Sequence, residues 1–135
     1  MVGAGAGFSR VLINSGVGDA LALLARDSRI SPLLLGWLLT ASIRVATGSA
    51  TVAITTAAGL LAPISAATPG LNRELLVVAM GAGSVILSHV NDSGFWLVKE
   101  YLNLDVTQTL KTWTVMETAI SLTALALLLP LSLVL

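Results

Sequence analysis

From Leu33 to Ile64 the chain runs for 32 residues without a loop signal. As one helix this stretch would reach roughly 48 Å, well beyond a bilayer hydrocarbon core of about 30 Å. It must therefore tilt strongly or break. Its single charged residue, Arg44, lies one turn before Thr47-Gly48-Ser49-Ala50-Thr51, where a glycine sits among hydroxyl side chains. A discontinuous helix interrupted within Thr47 to Thr51 is expected.

Composition places that segment in a membrane. Hydrophobic residues make up 56% of the 135, charged residues 10%, and the mean hydropathy is +0.93. A soluble domain carries about a quarter charged residues, so a water-facing surface cannot be built from this chain. Seven basic and seven acidic residues cancel, and no basic cluster offers a phosphate-binding face, which sets nucleic acid aside. There is no cysteine and only one histidine, which excludes disulfides and thiolate metal sites and leaves no spacing for a zinc site; no metal or cofactor is expected. No nucleophile and base occur together with a recognisable oxyanion site, which argues against an enzyme. No basic residue precedes an apolar run at the N-terminus, so the start does not read as a secretory signal.

The remaining spans are read in the same way. Trp113 to Leu135 is 23 residues, roughly 34 Å as helix, and reads as an ordinary span. Leu75 to Ser88 has only 14 residues, too few to cross alone, and reaching Val98 brings His89 to Gly94 to membrane depth. Polar or non-helical backbone at that depth is tolerated where it is buried in protein or lines a wet cavity. Val2 to Ala25 carries five glycines with Arg10, Asn14, Ser15 and Asp19. It reads as a re-entrant hairpin turning at Asn14-Ser15-Gly16, or as a single broken span. Gly3 and Gly7 have the small-xxx-small spacing of close helix packing. Loops at Arg26–Ser31, Ser65–Arg73 and Lys99–Lys111 hold two, one and two basic residues. By the positive-inside rule this gives an in, out, in, out order, with the first and third loops cytoplasmic. Trp37, Trp96, Tyr101 and Trp113 fall near span ends, where aromatic belts form.

The run from Gly81 to Tyr101, GAGSVILSHVNDSGFWLVKEY, followed by Thr109-Leu110-Lys111-Thr112-Trp113, resembles the gluconate permease family of proton symporters. The likeness extends through Gly48 to Ala53 and Gly5 to Gly18 and so covers nearly the whole chain. Members of that family are much longer, and the chain resembles their C-terminal portion only. The resemblance implies a multi-pass protein of the cell (inner) membrane that carries gluconate or a related sugar acid with protons. D-Serine is also carried within the family. It further implies that the missing N-terminal half, or another copy, completes the transporter.

Each candidate residue has a structural alternative. His89 and Asp92 are the expected proton-coupling pair, because ionisable residues inside a span are costly and mark ion pathways. Alternatively Asp92 caps the helix carrying Phe95 to Val98, and His89 is held in a packed interface. Arg44 suits a substrate carboxylate, which a guanidinium binds bidentately, or else pairs with Asp19 or Asp92. Gly48, Ser49 and Thr51 would open a half-helix whose free N–H groups and positive dipole end favour an anion. Small hydroxyl residues also simply pack helices. Asn14, Ser15 and Asn91 offer neutral donors and acceptors to a sugar acid. Glu117, one turn inside the last span, is read as structural and close to interfacial water.

The expected architecture is thus an all-α integral membrane protein forming one membrane domain over residues 1–135. It has three to four membrane-embedded elements, with discontinuous helices and either a re-entrant hairpin or a broken span at the start. Two other classes compete. A channel would conduct without a proton gradient, and an inactive fragment or membrane assembly subunit would need a partner chain.

Overall fold

A computed structural model of the chain describes residues 30–134, together with 7, 10, 11 and 14–16. Among the described residues there is no strand. Helix α1 spans Pro32–Thr47, α2 Ala50–Ala67, α3 Arg73–Val85 and α4 Ser93–Tyr101. The last helix is continuous from Val106 to Leu131 and is built of α5 (Val106–Thr109), a π-helical turn (Leu110–Thr114) and α6 (Val115–Leu131).

The overlong segment breaks where its sequence indicates, but it also reverses. Gly48 takes a left-handed conformation (φ 70°) that ends α1, and Ser49 caps α2 by accepting from the Val52 N–H at 3.3 Å. Such left-handed C-caps and serine N-caps each satisfy backbone groups that a helix end leaves free. Gly36 near the start of α1 faces Leu61 near the end of α2. Ser31 to Leu33 and Thr68 to Asn72 line one pocket with Ser132. Hence α1 and α2 form an antiparallel hairpin with its tip at Gly48-Ser49, and not one broken crossing. Hydropathy cannot tell these apart, because both present the same apolar run.

That reversal corrects the expected order of sides. The Thr68–Asn72 loop shares one end of the molecule with Ser31 and Ser132. The loop after Lys99 belongs to the other end, since Val106 and Leu131 are separated by a 26-residue helix, roughly 38 Å. An alternation with the Arg26–Ser31 and Lys99–Lys111 loops on one side does not fit this arrangement.

Two further boundaries shift. The interruption after α3 covers residues 86–92 rather than 89–94, because Asp92 caps a helix that already includes Ser93 and Gly94. The last helix begins at Val106, seven residues before Trp113. Asp105 and Gln108 close a reciprocal capping box there, with bonds of 2.7 and 2.9 Å. Such a box satisfies two free N–H groups at once and so starts a helix within what reads as a polar loop.

The hairpin, α3 and α6 pack around Leu33, Trp37, Ala57, Leu61, Leu76 and Met80. Gly83 lets α3 approach α1 closely, for a Cβ there would lie 2.5 Å from the Trp37 carbonyl oxygen. Small residues at such contacts are how membrane helices gain packing without a hydrophobic drive between them. Ser121 ties the third side, accepting from Trp37 Nε1 at 3.1 Å and donating to the Ala82 carbonyl at 2.6 Å. Only 11% of the apolar window in the last helix is buried within the chain, so its other faces suit lipid or further protein. Ala50–Ala67 and Val106–Leu131 are long and apolar enough to cross a membrane.

Most of the expected first element lies outside the described residues, including Gly3, Asp19 and the arms of the 2–25 hairpin. At its centre, Ser15 and Gly16 do form a turn, with Ser15 N–H bonded to the Val11 carbonyl at 3.0 Å and Gly16 at φ 81°. A Cβ at Gly7 would meet nothing within 4 Å among the described residues.

Candidate functional site

The hairpin tip and the α3–α4 interruption meet. Asn91 donates its side-chain N–H to the Val45 carbonyl at 2.9 Å, a group that α1 leaves free where it ends. Gly48 is buried against the Asn91 backbone: a Cβ there would sit 2.2 Å from the Asn91 carbonyl oxygen. Glycine is therefore required twice at position 48, by its left-handed φ and by this close approach.

Beside this contact, Arg44 of α1 pairs with Asp92. The Nη2–Oδ2 distance is 2.5 Å, and the side chains are 5% and 13% exposed. Asp92 also caps α4, accepting from the Gly94 N–H at 2.9 Å, and accepts from the Ser88 hydroxyl. Ser88 is fully buried and is held from the last helix. Trp113 Nε1 donates to its hydroxyl at 2.8 Å, and the Thr114 hydroxyl donates to its carbonyl. The π-helical turn that carries Trp113 and Thr114 lets adjacent residues reach one partner, a distortion common at functional sites.

The electrostatics of the site favour negative charge. Helices α2 and α4 begin two residues beyond Gly48 and Asn91 respectively, so two positive dipole ends and one guanidinium gather at the contact. Among the described residues nothing accepts from the N–H groups of Ala50 and Thr51. Arg44 Nε is buried without a hydrogen-bond partner. Asp92 supplies the negative charge that balances this cluster.

Of the residues singled out from the sequence, Arg44, Gly48, Ser49, Asn91 and Asp92 come together. Thr51 stands in the first turn of α2 with an exposed side chain. His89 lies in the same interruption but turns inward to its own loop, Nδ1 donating to the Leu87 carbonyl at 2.7 Å. Asn14 and Ser15 are exposed. Both structural alternatives for Arg44 and Asp92 are realised, the ion pair and the helix cap. Sequence reasoning missed Ser88, Trp113 and Thr114, whose joint role depends on a contact across 25 and 26 residues. Among the described residues no group of three or more metal-ligating side chains occurs.

A helical hairpin whose tip meets an unwound helix, with charged groups at the junction and apolar faces outside, suits a membrane-embedded protein in which irregular backbone is shielded from lipid. The comparisons agree: a family model described as GntP family permease matches residues 1–134. The chain belongs to the GntP permease family. It is 59% identical over its whole length to a gluconate permease of Pseudomonas aeruginosa, of which it covers 30%. It is 56% identical over 94% of its length to a gluconate permease of Zymomonas mobilis, covering 28% of that protein. It is 51% identical over 93% of its length to the Gnt-II system L-idonate transporter of Escherichia coli, again covering 28%. The chain thus spans less than a third of these relatives, all named as permeases or transporters. No solved structure matches it.

Proposed function

We propose that this segment carries the substrate-exchange site of a multi-pass transporter in the cell (inner) membrane, moving gluconate or a related sugar acid together with protons. The observation that carries the reading is the pairing of buried Arg44 with partly buried Asp92 at the meeting of two helix N-termini. A substrate carboxylate takes the place of Asp92 on the guanidinium, which binds either carboxylate in the same fork. The displaced Asp92 would be an uncompensated charge in a site with little solvent, a condition that a proton relieves. Anion and proton then enter together, and the charge of the site is unchanged.

In this reading the free N–H groups of the first turn of α2, behind Gly48, Ser49 and Thr51, support the substrate anion. Asn91 and, from the first element, Asn14 and Ser15 engage its hydroxyl groups. His89 keeps Nε2 for proton exchange, its Nδ1 being held by Leu87. A second reading, that the segment is inactive by itself and works only with a partner chain or another copy, is supported by its covering 30% or less of the relatives above.

The test uses proteoliposomes of a full-length permease carrying this segment. Labelled gluconate should accumulate against its gradient when the interior is alkaline, and a protonophore should remove that accumulation. L-Idonate should compete and D-serine should not. Uptake that ignores the pH gradient contradicts the proposal.

A further inference from the structure

The position of Glu117 changes once the last helix is seen to begin at Val106. It is the twelfth of 26 residues, roughly 17 Å from one end and 21 Å from the other. That is the middle of the helix and not its watery edge. An ionisable side chain at such depth faces protein or a wet cavity and marks an ion pathway.

Neighbours on the helix show which way it faces. Trp113 and Thr114 are hydrogen-bonded to Ser88, and Ser121 is bonded to Ala82 and Trp37. Residues three and four apart share a helix face, so Glu117 belongs to the stripe turned toward the site. It is partly buried and within electrostatic reach of Arg44 and Asp92. It makes no hydrogen bond or ion pair with any described residue. The trio of one guanidinium and two carboxylates is neutral only when one proton is bound.

We propose that Glu117 is a second proton-carrying residue of the transport cycle, binding and releasing a proton as substrate exchanges with Asp92 on Arg44. The inference rests on the transport reading given above. A proton from the aqueous phase forms the O–H of the Glu117 carboxyl and leaves on the other side when the substrate departs; no other bond changes. Among the described residues, the titratable groups that act on it are Arg44 on α1 and Asp92 in the interruption; His89 lies elsewhere in that interruption and Lys111 six residues earlier on its own helix. Helix α2 has none. On α3, Arg73 and Glu74 stand at the far end, roughly 17 Å from Val85. On α4, Lys99, Glu100 and Tyr101 occupy the last turn.

The test is Glu117→Gln in the full-length permease, with membrane abundance, counterflow and pH-driven accumulation measured together. Counterflow should stay close to wild type, while accumulation falls about tenfold per unit of imposed pH gradient, the contribution of one coupled proton. Glu117→Asp should recover it. Unchanged accumulation by the Gln variant overturns the proposal, and so does loss of counterflow at normal abundance, which would make Glu117 a substrate ligand. If the Gln variant fails to reach the membrane, the wild-type protein decides. A hydrophobic carbodiimide should modify Glu117, with labelling that declines as pH rises, and absence of that adduct overturns the assignment. A wild-type permease that shows no proton-driven accumulation removes the transport reading, whereas pH-dependent labelling still reports on Glu117 itself.

Discussion

The two interruptions that meet at the site are held open by different means. Between α1 and α2 the break takes two residues and is satisfied mainly locally, by the left-handed Gly48 and the Ser49 cap, with Asn91 reaching only the Val45 carbonyl. Between α3 and α4 it takes seven; one local turn bonds the Asp92 N–H to the His89 carbonyl, and other carbonyls are satisfied by side chains beyond the break, Thr114 donating to the Ser88 carbonyl and Trp96 to the Val90 carbonyl. The first break is therefore a rigid reversal. The second is a linker whose shape depends on the last helix staying where it is. A transporter needs both kinds of part, a fixed cradle and a segment that rearranges when its supports shift.

The comparison fails soonest at Gly48. Gly48→Ala puts a Cβ against the Asn91 carbonyl oxygen and a side chain into left-handed backbone, at a cost of about 4 kcal/mol. Thermal unfolding in detergent should show it, and a variant as stable as wild type would mean that the first break does not depend on its glycine. Arg44→Met comes next, leaving the partly buried Asp92 without its cation at about 3 kcal/mol. Adding Asp92→Asn to it should restore much of that loss. Additive costs in the double variant would show that the pair is not the contact joining the two breaks.

Smaller effects sharpen the contrast. Thr114→Val removes the donor that a buried Ser88 carbonyl needs and should cost about 1 to 2 kcal/mol. Thr114→Ser should not. Hydrogen exchange around residues 86–92 should quicken in the Val variant while the α1–α2 tip stays protected; equal quickening at both breaks would erase the distinction. Ser49→Ala should cost the least, about 1 kcal/mol for a lost helix cap.

The same difference explains what the sequence made legible. The break at Gly48 could be read because its causes are local: a glycine, a serine cap and a length that no bilayer accommodates. Its reversal into a hairpin could not, since that depends on Gly36 meeting Leu61 and Gly83 meeting α1. Arg44 and Asp92 stood out by being charged at membrane depth, but only the fold pairs them across 48 residues. Glu117 reads as lying one turn inside its helix because the Asp105–Gln108 capping box sits in a polar stretch without apolar periodicity. That places the start of the helix at the first aromatic residue and moves a central carboxylate to the edge. Ser88, Trp113 and Thr114 carry no signal of a joint role, which arises only where the π-helical turn meets the interruption.

The central claim is that substrate replaces Asp92 on Arg44 and that Asp92 takes a proton as it leaves. Asp92→Asn in the full-length permease tests it most directly, because asparagine keeps the size and much of the capping but exchanges no proton. Counterflow of gluconate, normalised to membrane abundance, should continue, while pH-driven accumulation falls about tenfold per unit of gradient. Full accumulation by the Asn variant at equal abundance would contradict the account.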